Sequence, residues 1–178
     1  MTNIYPKHPI PRYFMIKRHR YVREILKNSK VLDIGSNKYK ILTNALSLDI
    51  NPDVKPDIVG NGLKLPFTDC SFDSITALEL IEHFRDKEQN IFLNEINRVL
   101  KHRGQFIIST PNISEYTKRI HDFLWYVSHW VYAREDLGKH IGELTHKQLK
   151  LKLIEHNFKI MSEKAFSLFN YVVDCEKI

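Results

Sequence analysis

Carboxylates, an amide and glycines stand just after four short apolar runs of this sequence. Asp33 and Gly35 follow the first run, Asp49 ends the second 16 residues after Asp33, Asn61 follows the third, and Glu79 follows the fourth. A carboxylate can accept hydrogen bonds from a ribose diol, and an amide can both donate to and accept from a base edge. A glycine lets the backbone approach a ligand closely. The residue types therefore predict a binding site for a ligand that carries a ribose and a base.

The elements that must position these residues alternate between strands and helices. Such alternation predicts an α/β fold in which a mostly parallel sheet is covered by helices on both faces. Ligands of such sheets bind beyond the carboxyl ends of the strands, which is where the polar residues fall. The predicted strands are 30–35, 45–50, 57–60, 72–78 and 105–110, with two more within 158–176, and the predicted helices are 12–28, 86–101, 113–133 and 145–156.

Several helix ends carry recognisable signals. The three prolines of residues 1–11 predict a stiff, non-helical lead-in. Asp86 and Gln89 have the spacing of a capping box for the helix over 86–101, and Gly104 is placed to end it. Thr145 is expected to open the helix over 145–156.

Bulk composition indicates one ordinary globular domain spanning residues 1–178. The chain has 178 residues, of which 43% are hydrophobic and 27% charged, and it has two cysteines. Two cysteines are too few for a disulfide framework, so a reducing compartment is expected. No stretch reaches the roughly 20 apolar residues of a membrane span, and no signal peptide is recognised. We therefore expect a cytoplasmic protein.

The net charge of +6 is concentrated near the N-terminus. Eight Lys or Arg residues and one acid, Glu24, lie between Lys7 and Lys30. Residues 1–29, a basic arm and helix, could attract an anionic partner, or they could form a solvated helix face. Binding of nucleic acid is possible from this charge, but no motif for base stacking supports it.

The strand-end residues belong to segments that resemble the class I S-adenosylmethionine-dependent methyltransferases, most closely the type 11 subfamily. The resemblance covers about residues 30–160 and implies a Rossmann-like three-layer sandwich with one antiparallel strand near the C-terminus. The matching segments are VLDIG at 31–35, LSLDI at 46–50, residues 57–73 around LPF, ALELIEH at 77–83, NEINRVLKHRG at 94–104 and ISTPN at 108–112.

The resemblance implies a role for each matching position in binding S-adenosylmethionine. The turn after the first strand is expected near the methionine end, the acid of the second strand at the ribose hydroxyls, the third strand end at the adenine edge, and the fourth near the methionine side. In that order, the predicted cofactor residues are Asp33, Gly35 and Ser36, then Asp49 with Ile50 against the adenine, then Asn61, Gly62 and Leu63, then Glu79.

Two residues of the first turn depart from the family pattern. Asn37 and Tyr39 stand where the family usually has its second and third glycines, and the short spacing to Asp49 leaves little room for a first helix. Asn tolerates a positive φ, whereas Tyr39 must point away or reshape the turn. A degenerate domain that binds a partner without catalysis is therefore an alternative to an active methyltransferase. A nicotinamide-dependent oxidoreductase is disfavoured because G-x-G-x-x-G is absent.

The acceptor side is less constrained than the cofactor side. The expected acceptor is a small molecule or an anionic conjugate, and no catalytic residue or oligomeric state is predicted. Residues 113–140 are expected to be a variable substrate-facing insertion, whose second helix face carries His121, Trp125 and Tyr132. Candidate bases are His121, His129 and His140.

A metal site near Glu79 is a further hypothesis at this edge. On a helix, Glu79, Glu82 and His83 would share one face, and His140 could complete the ligands of a divalent ion. The alternative is that these side chains only pack near the cofactor, and no metal ligand is assigned.

Overall fold

The structure is a computed structural model that describes residues 9–26, 30–111, 141–166 and 170–178, without the side chains of 9–12. In this part of the chain, three α-helices accompany one seven-stranded sheet with the order β3-β2-β1-β4-β5-β7-β6. The helices are α1 Pro9–Ile25, α2 Asp86–Val99 and α3 His146–Glu155. The strands are β1 Val31–Ile34, β2 Leu46–Asp49, β3 Ile58–Val59, β4 Phe72–Leu78, β5 Leu100–Thr110, β6 Phe158–Phe166 and β7 Asn170–Lys177.

Six of the seven strands run in one direction, and β7 runs against both of its neighbours. The pairs from β3 to β5 are parallel, whereas β7 is antiparallel to β5 and to β6. The expectation of a mostly parallel sheet with one antiparallel strand near the C-terminus is confirmed.

Helices cover both faces of the sheet. Alternate strand residues point to opposite faces, so neighbours such as Val31 and Leu32 enter different cores. The larger core packs α2 and α3 on the sheet, and the smaller core packs α1 on it. The three-layer arrangement is therefore confirmed, with α1 as the layer on one face among the described residues.

The prolines do not keep the N-terminal segment out of the helix. We predicted a helix from residue 12, but α1 begins at Pro9 and includes Pro11. The first four N–H groups of a helix have no intrahelical acceptor, so proline in the first turn loses no hydrogen bond. The basic residues of α1 also do not all face solvent, because Arg18 and His19 are buried.

The ends of α2 differ from the predicted ones. The helix is capped one residue earlier than predicted, since Glu88 Oε2 accepts a hydrogen bond from the backbone N–H of Arg85 at 2.8 Å. It ends at Val99, and β5 begins at Leu100. Gly104 therefore does not end a helix. A Cβ at Gly104 would lie 2.7 Å from the Lys101 carbonyl oxygen, so a close approach within β5 explains this glycine.

The three C-terminal elements agree with their predictions. The side chain of Thr145 caps α3 by accepting a hydrogen bond from the Gln148 N–H. The two strands predicted within 158–176 are β6, Phe158–Phe166, and β7, Asn170–Lys177. The helix predicted over 113–133, and the insertion over 113–140, lie outside the described residues.

Hydrogen bonds of Gly142 hold the segment before α3 against the start of α2. Its N–H donates to the Glu82 carbonyl at 3.0 Å, and its carbonyl accepts from Gln89 Nε2 at 2.6 Å. A Cβ at this position would lie 1.8 Å from the Phe84 carbonyl oxygen. A backbone atom cannot move aside as a flexible side chain can.

We therefore expect Gly142→Ala to lower the free energy of unfolding by at least about 2 kcal/mol. Urea denaturation measures this change. Gly62→Ala is the matched control, because its Cβ would be no closer than 3.4 Å to any neighbouring atom. The control should lose less than about 1 kcal/mol. Equal losses in the two variants would contradict the steric explanation.

Candidate functional site

The carboxyl ends of β1 and β2 are joined by the Asp49 carboxylate. Asp49 Oδ2 accepts a hydrogen bond from the Asn37 N–H at 2.9 Å, and Oδ1 accepts one from the Asn51 N–H at 2.9 Å. The side chain is half-buried, and each carboxylate oxygen has more than one acceptor position. Asp49 can therefore hold the two loops and still accept hydrogen bonds from a ribose diol.

The turn after β1 closes without the second and third glycines of the family pattern. Asn37 has a φ of +48°, which is the left-handed conformation that asparagine tolerates. The Tyr39 N–H donates to the Ser36 carbonyl at 3.0 Å, and Ser36 is itself buried. Gly35 is needed here for two reasons: its φ is +67°, and a Cβ would lie 3.0 Å from the Leu80 side chain.

The Asp33 side chain points into the protein. Its Oδ2 accepts from the Ile41 N–H at 2.9 Å, and its Oδ1 accepts from the Thr76 hydroxyl at 2.7 Å. Burial raises the pKa of Asp33 to about 6, against the opposing effect of these two hydrogen bonds. Asp33 therefore supports the loop between β1 and β2 from the interior of the protein.

The ends of β2 and β3 lie side by side and present an apolar surface. Asp49 pairs with Val59 in the sheet register, so Ile50 and Asn61 both follow strand ends at this edge. The Ile50 side chain is 69% exposed. An exposed isoleucine beside the Asp49 carboxylate suits packing against a flat base.

The third strand end forms a turn of its own. Asn61 is exposed, and its Oδ1 accepts from the Leu63 N–H at 2.9 Å. Leu63 is half-buried against the larger core. Gly62 is buried, and a Cβ there would contact Phe92 and Ile34. Gly62 thus lets this turn sit close to α2 and β1, while Asn61 stays at the surface.

Glu79 is held in an uncommon backbone conformation at the end of β4. Its φ is +55°, and its N–H donates to the Ser109 carbonyl at 3.0 Å. Its Oε1 accepts from the Ser109 hydroxyl at 2.8 Å and forms an ion pair with Arg18 Nη1 at 2.9 Å. Left-handed non-glycine residues persist only where surrounding contacts hold them, and they often occur at functional sites.

Arg18 is a residue that we did not select from the sequence. Its side chain is 7% exposed, and it reaches the site from α1, far from Glu79 in the chain. One signal was available: Arg18, Val22 and Leu26 recur at four-residue steps, which places a cation on the buried face of α1.

The segment after β4 is not the helix that the metal hypothesis assumed. Glu79 and Leu80 precede a single 3₁₀ turn, Ile81–His83, so Glu79 shares no helix face with Glu82 and His83. Within the described ranges, no three His, Cys, Asp or Glu side chains are grouped so as to hold a metal ion. His140 lies outside those ranges, as do His121, Trp125, His129 and Tyr132.

Glu82 is completely buried behind the strand ends. Burial raises the pKa of its carboxyl well above the ordinary value, and the nearby Glu79 charge raises it further. Both effects favour the neutral form of Glu82. Its backbone carbonyl accepts from the N–H groups of Ile141 and Gly142, so it supports the segment that leads into α3.

The family comparison agrees with this geometry. A family model described as a methyltransferase domain matches residues 19–108, about half of the chain, which includes β1 to β4 and most of β5. The chain therefore belongs to this methyltransferase family.

Relatives and a solved structure extend the comparison. An uncharacterized protein of Methanocaldococcus jannaschii is 37% identical over 112 residues, covering 56% of this chain and 43% of the relative. A demethylmenaquinone methyltransferase of Thermotoga maritima is 39% identical over 77 residues, covering 42% and 32% of the two chains. The chain thus spans less than half of each of these relatives.

The solved structure is similar over most of its length. An S-adenosylmethionine-dependent methyltransferase of Methanosarcina mazei superposes with a TM-score of 0.68 at 18% identity, covering 89% of this chain and 97% of that one. This similarity shows the class I methyltransferase fold. None of the described helices combines the length and apolar character needed to cross a membrane.

The raised pKa of the buried Asp33 predicts that the stability of the protein depends on pH. The pKa of Asp33 is raised in the folded state above the ordinary 3.8. The favourable contribution of Asp33 to the free energy of unfolding is therefore complete below about pH 4 and is lost as the pH rises through about 6. Relative to Asp33→Asn, the wild-type free energy of unfolding should therefore fall by roughly 2 to 3 kcal/mol between pH 4 and pH 8.

Urea unfolding of both proteins across that range measures the difference. Asp53→Asn is the control, because it makes the same change at a side chain that is exposed. A wild-type minus Asp33→Asn difference that stays flat or grows with pH would show that Asp33 is not destabilised by burial.

Proposed function

We propose that this protein transfers a methyl group from S-adenosylmethionine to a small-molecule or anionic conjugate acceptor. The observation that carries the proposal is the arrangement around Asp49, whose half-buried carboxylate stands beside the exposed Ile50 and next to the turn at Gly35. These residues fit an adenosyl group: a diol acceptor, an apolar surface for the base, and a backbone turn with no side chain in the way.

When bound, S-adenosylmethionine supplies a sulfonium methyl group that is open to direct displacement. The residues of this chain need to form no covalent bond during that step. Their part is to fix the cofactor and to bring the acceptor into line with the methyl group, and such positioning can supply much of the rate. Asp49 and Ile50 are proposed to hold the adenosine, and the turn at Gly35 and Glu79 the amino-acid end.

One surface feature favours an anionic acceptor. A groove of about 310 Å³ between α1 and β6 is lined by Lys17, Arg20 and Lys164, against one acid, Glu24. Two aromatic rings, those of Tyr21 and Phe166, complete the lining, and Lys164 Nζ lies 4.4 Å from the Tyr21 ring centroid. Phe166 is the last residue of β6, and β6 runs in the same direction as β5. The groove therefore lies toward the carboxyl ends of the parallel strands, where the candidate site also lies.

The competing function is a degenerate domain that binds a partner without catalysis. Its support was the altered turn at Asn37 and Tyr39. The observed turn is closed by Asn37 in a left-handed conformation and is tied to Asp49, which supports a competent binding edge rather than a collapsed one. Cofactor binding distinguishes the two proposals.

We expect S-adenosylhomocysteine and S-adenosylmethionine to bind with dissociation constants of about 1 to 100 μM, as measured by calorimetry, with NAD as a ligand that does not bind. Asp49→Ala should weaken both by at least about a hundredfold, because two hydrogen bonds from the ribose to a charged acceptor are lost. Asp53→Ala, which removes an exposed carboxylate of the next turn, should change neither.

If neither adenosyl ligand binds to wild type at millimolar concentration, the degenerate binding module becomes the better proposal. Equal affinities of wild type and Asp49→Ala would remove Asp49 from the ribose site.

The acceptor class can be tested with the same protein and methyl-labelled S-adenosylmethionine. A low-mass metabolite extract is separated by anion exchange, and each fraction is incubated with the enzyme. We expect the label to be transferred to compounds in the retained, anionic fractions. Transfer confined to the unretained fraction would contradict an anionic acceptor while leaving the methyltransferase proposal intact.

A further inference from the structure

The groove between α1 and β6 contains two aromatic rings that the binding of an adenosyl group does not require. The ring centroids of Tyr21 and Phe166 lie 5.3 Å apart, and the two ring planes are inclined by 57°. Tyr21 belongs to α1 and Phe166 is the last residue of β6, so two separate elements bring the rings together. Both residues are half-buried and line the groove, so the rings offer aromatic surface to a ligand.

Three cations surround these rings. Lys17, Arg20 and Lys164 line the groove with one acid, Glu24, so positive charges exceed negative charges by two. Among the described residues, no carboxylate forms an ion pair with any of the three cations. Their charge is therefore available to a ligand, and a groove with such an excess attracts anions.

Lys164 lies where a flat group could stack. Its Nζ is 4.4 Å from the Tyr21 ring centroid and 5.2 Å from the Phe166 ring centroid. Lys164 is exposed, its side chain is flexible, and a cation–π contact at an exposed position is weak. The ammonium group can therefore move from the rings to a bound anion, and the rings can then contact the group that carries the anion.

The size and the lining of the groove indicate which group fits. Its volume of about 310 Å³ is near the lower limit for small-molecule sites, roughly 300 Å³, so it suits one part of a larger ligand. A phosphate alone would use the cations and leave the rings without a contact, and an uncharged planar group would do the reverse. A nucleotide uses both, because its base stacks on aromatic rings and its phosphates bind cations.

Part of the sheet separates the groove from the site of methyl transfer. In the strand order, β5 and β7 lie between β4, which Glu79 follows, and β6, which ends at Phe166. Neighbouring strands are about 4.8 Å apart, so the ends of β4 and β6 are separated by roughly 14 Å. A molecule that reaches both must be extended, with its methyl-accepting atom far from the group in the groove.

We propose that the groove between α1 and β6 binds a nucleotide that forms the far end of the methyl acceptor. The base stacks on the rings of Tyr21 and Phe166, and the phosphates bind Lys164 and the two cations of α1. The acceptor is then a nucleoside-diphosphate conjugate whose other end reaches the cofactor. This inference rests on the proposed function, because it names the acceptor class of the same enzyme.

Binding to the groove can be measured without the whole acceptor. Calorimetry uses UDP, GDP and inorganic pyrophosphate, with saturating S-adenosylhomocysteine present so that the adenosyl site is filled. Pyrophosphate measures the contribution of charge alone. The variants are Tyr21→Leu, Tyr21→Phe and Lys164→Gln. The control is Lys159→Gln, which removes an exposed lysine of β6 that does not line the groove.

We expect at least one of the two nucleotides to bind wild type at least about tenfold more tightly than pyrophosphate, because the base adds a stacking contact. Tyr21→Leu should reduce this advantage at least about fivefold and leave pyrophosphate binding unchanged, whereas Tyr21→Phe keeps the ring and should keep the advantage. Lys164→Gln should weaken binding of nucleotide and pyrophosphate at least about threefold, because a cation is lost. Lys159→Gln should bind all three ligands as wild type does.

The nucleotide should also compete with the acceptor. Methyl transfer to the retained, anionic fractions is measured with labelled S-adenosylmethionine. When the acceptor is dilute, the nucleotide at about ten times its dissociation constant should lower transfer about tenfold by mass action. Uridine and guanosine, which lack phosphates, should not lower it.

Other results would overturn the inference. If neither nucleotide binds more tightly than pyrophosphate, or if Lys159→Gln weakens binding as much as Lys164→Gln, the groove is not a nucleotide site. If a nucleotide binds but does not lower methyl transfer, it is not part of the acceptor. If a single-stranded oligonucleotide of about six uridines binds at least about tenfold more tightly than UDP, the partner is a nucleic acid instead.

Titration of S-adenosylhomocysteine separates this inference from the proposal on which it rests. If S-adenosylhomocysteine binds and the groove shows no nucleotide preference, the inference fails and the methyltransferase proposal stands. If S-adenosylhomocysteine does not bind, the proposed function fails and the inference fails with it. Circular dichroism checks folding, and if Tyr21→Leu does not fold, the comparison of Lys164→Gln with Lys159→Gln decides the question.

Discussion

The buried Asp33 carboxyl is the contact on which the rest of the site depends. It joins β1 to β4 through Thr76, and it holds the loop between β1 and β2 through the Ile41 N–H. That loop, residues 35–45, contains no helix. Without a helical hydrogen-bond ladder, the loop takes its shape from a few tertiary contacts, and the one to Asp33 is buried from solvent. Burial keeps water from competing for this bond and also raises the pKa of the carboxyl.

Ile41 transmits that constraint to the N-terminal helix. Its carbonyl accepts from Arg23 Nε at 2.8 Å, and its side chain is buried with Val22 in the smaller core. The loop therefore makes both a polar and an apolar contact with α1. Because α1 packs on this loop, its first buried turn lies near the carboxyl ends of the strands. Arg18 of that turn then forms an ion pair with Glu79. The hydrogen bond from the loop to Asp33 thus helps to position the Arg18 guanidinium at the site.

The fold was largely predictable because each element carries its own periodic signal. Short apolar runs predicted the strands, and the alternation of strands with helices predicted a parallel sheet with its ligand edge at the carboxyl ends. The errors fell where local signals are ambiguous. Pro9 and Pro11 suit either a lead-in or a first helical turn, and Gly104 suits either a helix end or a close approach within a strand.

The candidate site was predictable in position but not in orientation. Asp33 and Asp49 both stand at strand ends, yet the Asp33 carboxyl faces the protein, while Asp49 joins two loops at the surface. The direction of a strand-end side chain depends on which donors the tertiary fold brings near it, and neither Ile41 nor Thr76 is marked as a donor in the sequence. The pairing of Arg18 with Glu79 is non-local in the same way, and so is the left-handed conformation of Glu79.

The two left-handed residues other than glycine at this edge, Asn37 and Glu79, suggest how the site is prepared for a ligand. Asn37 and Glu79 each carry a conformation that costs free energy, and each donates its backbone N–H to a fixed acceptor, Asp49 or Ser109. Those hydrogen bonds hold the loops after β1 and β4 before any ligand arrives. Part of the ordering cost of binding is then met during folding, so more of the contact energy is left for affinity. The strained residues at the strand ends and the hydrogen bond from the loop to Asp33 therefore act on the same edge of the sheet.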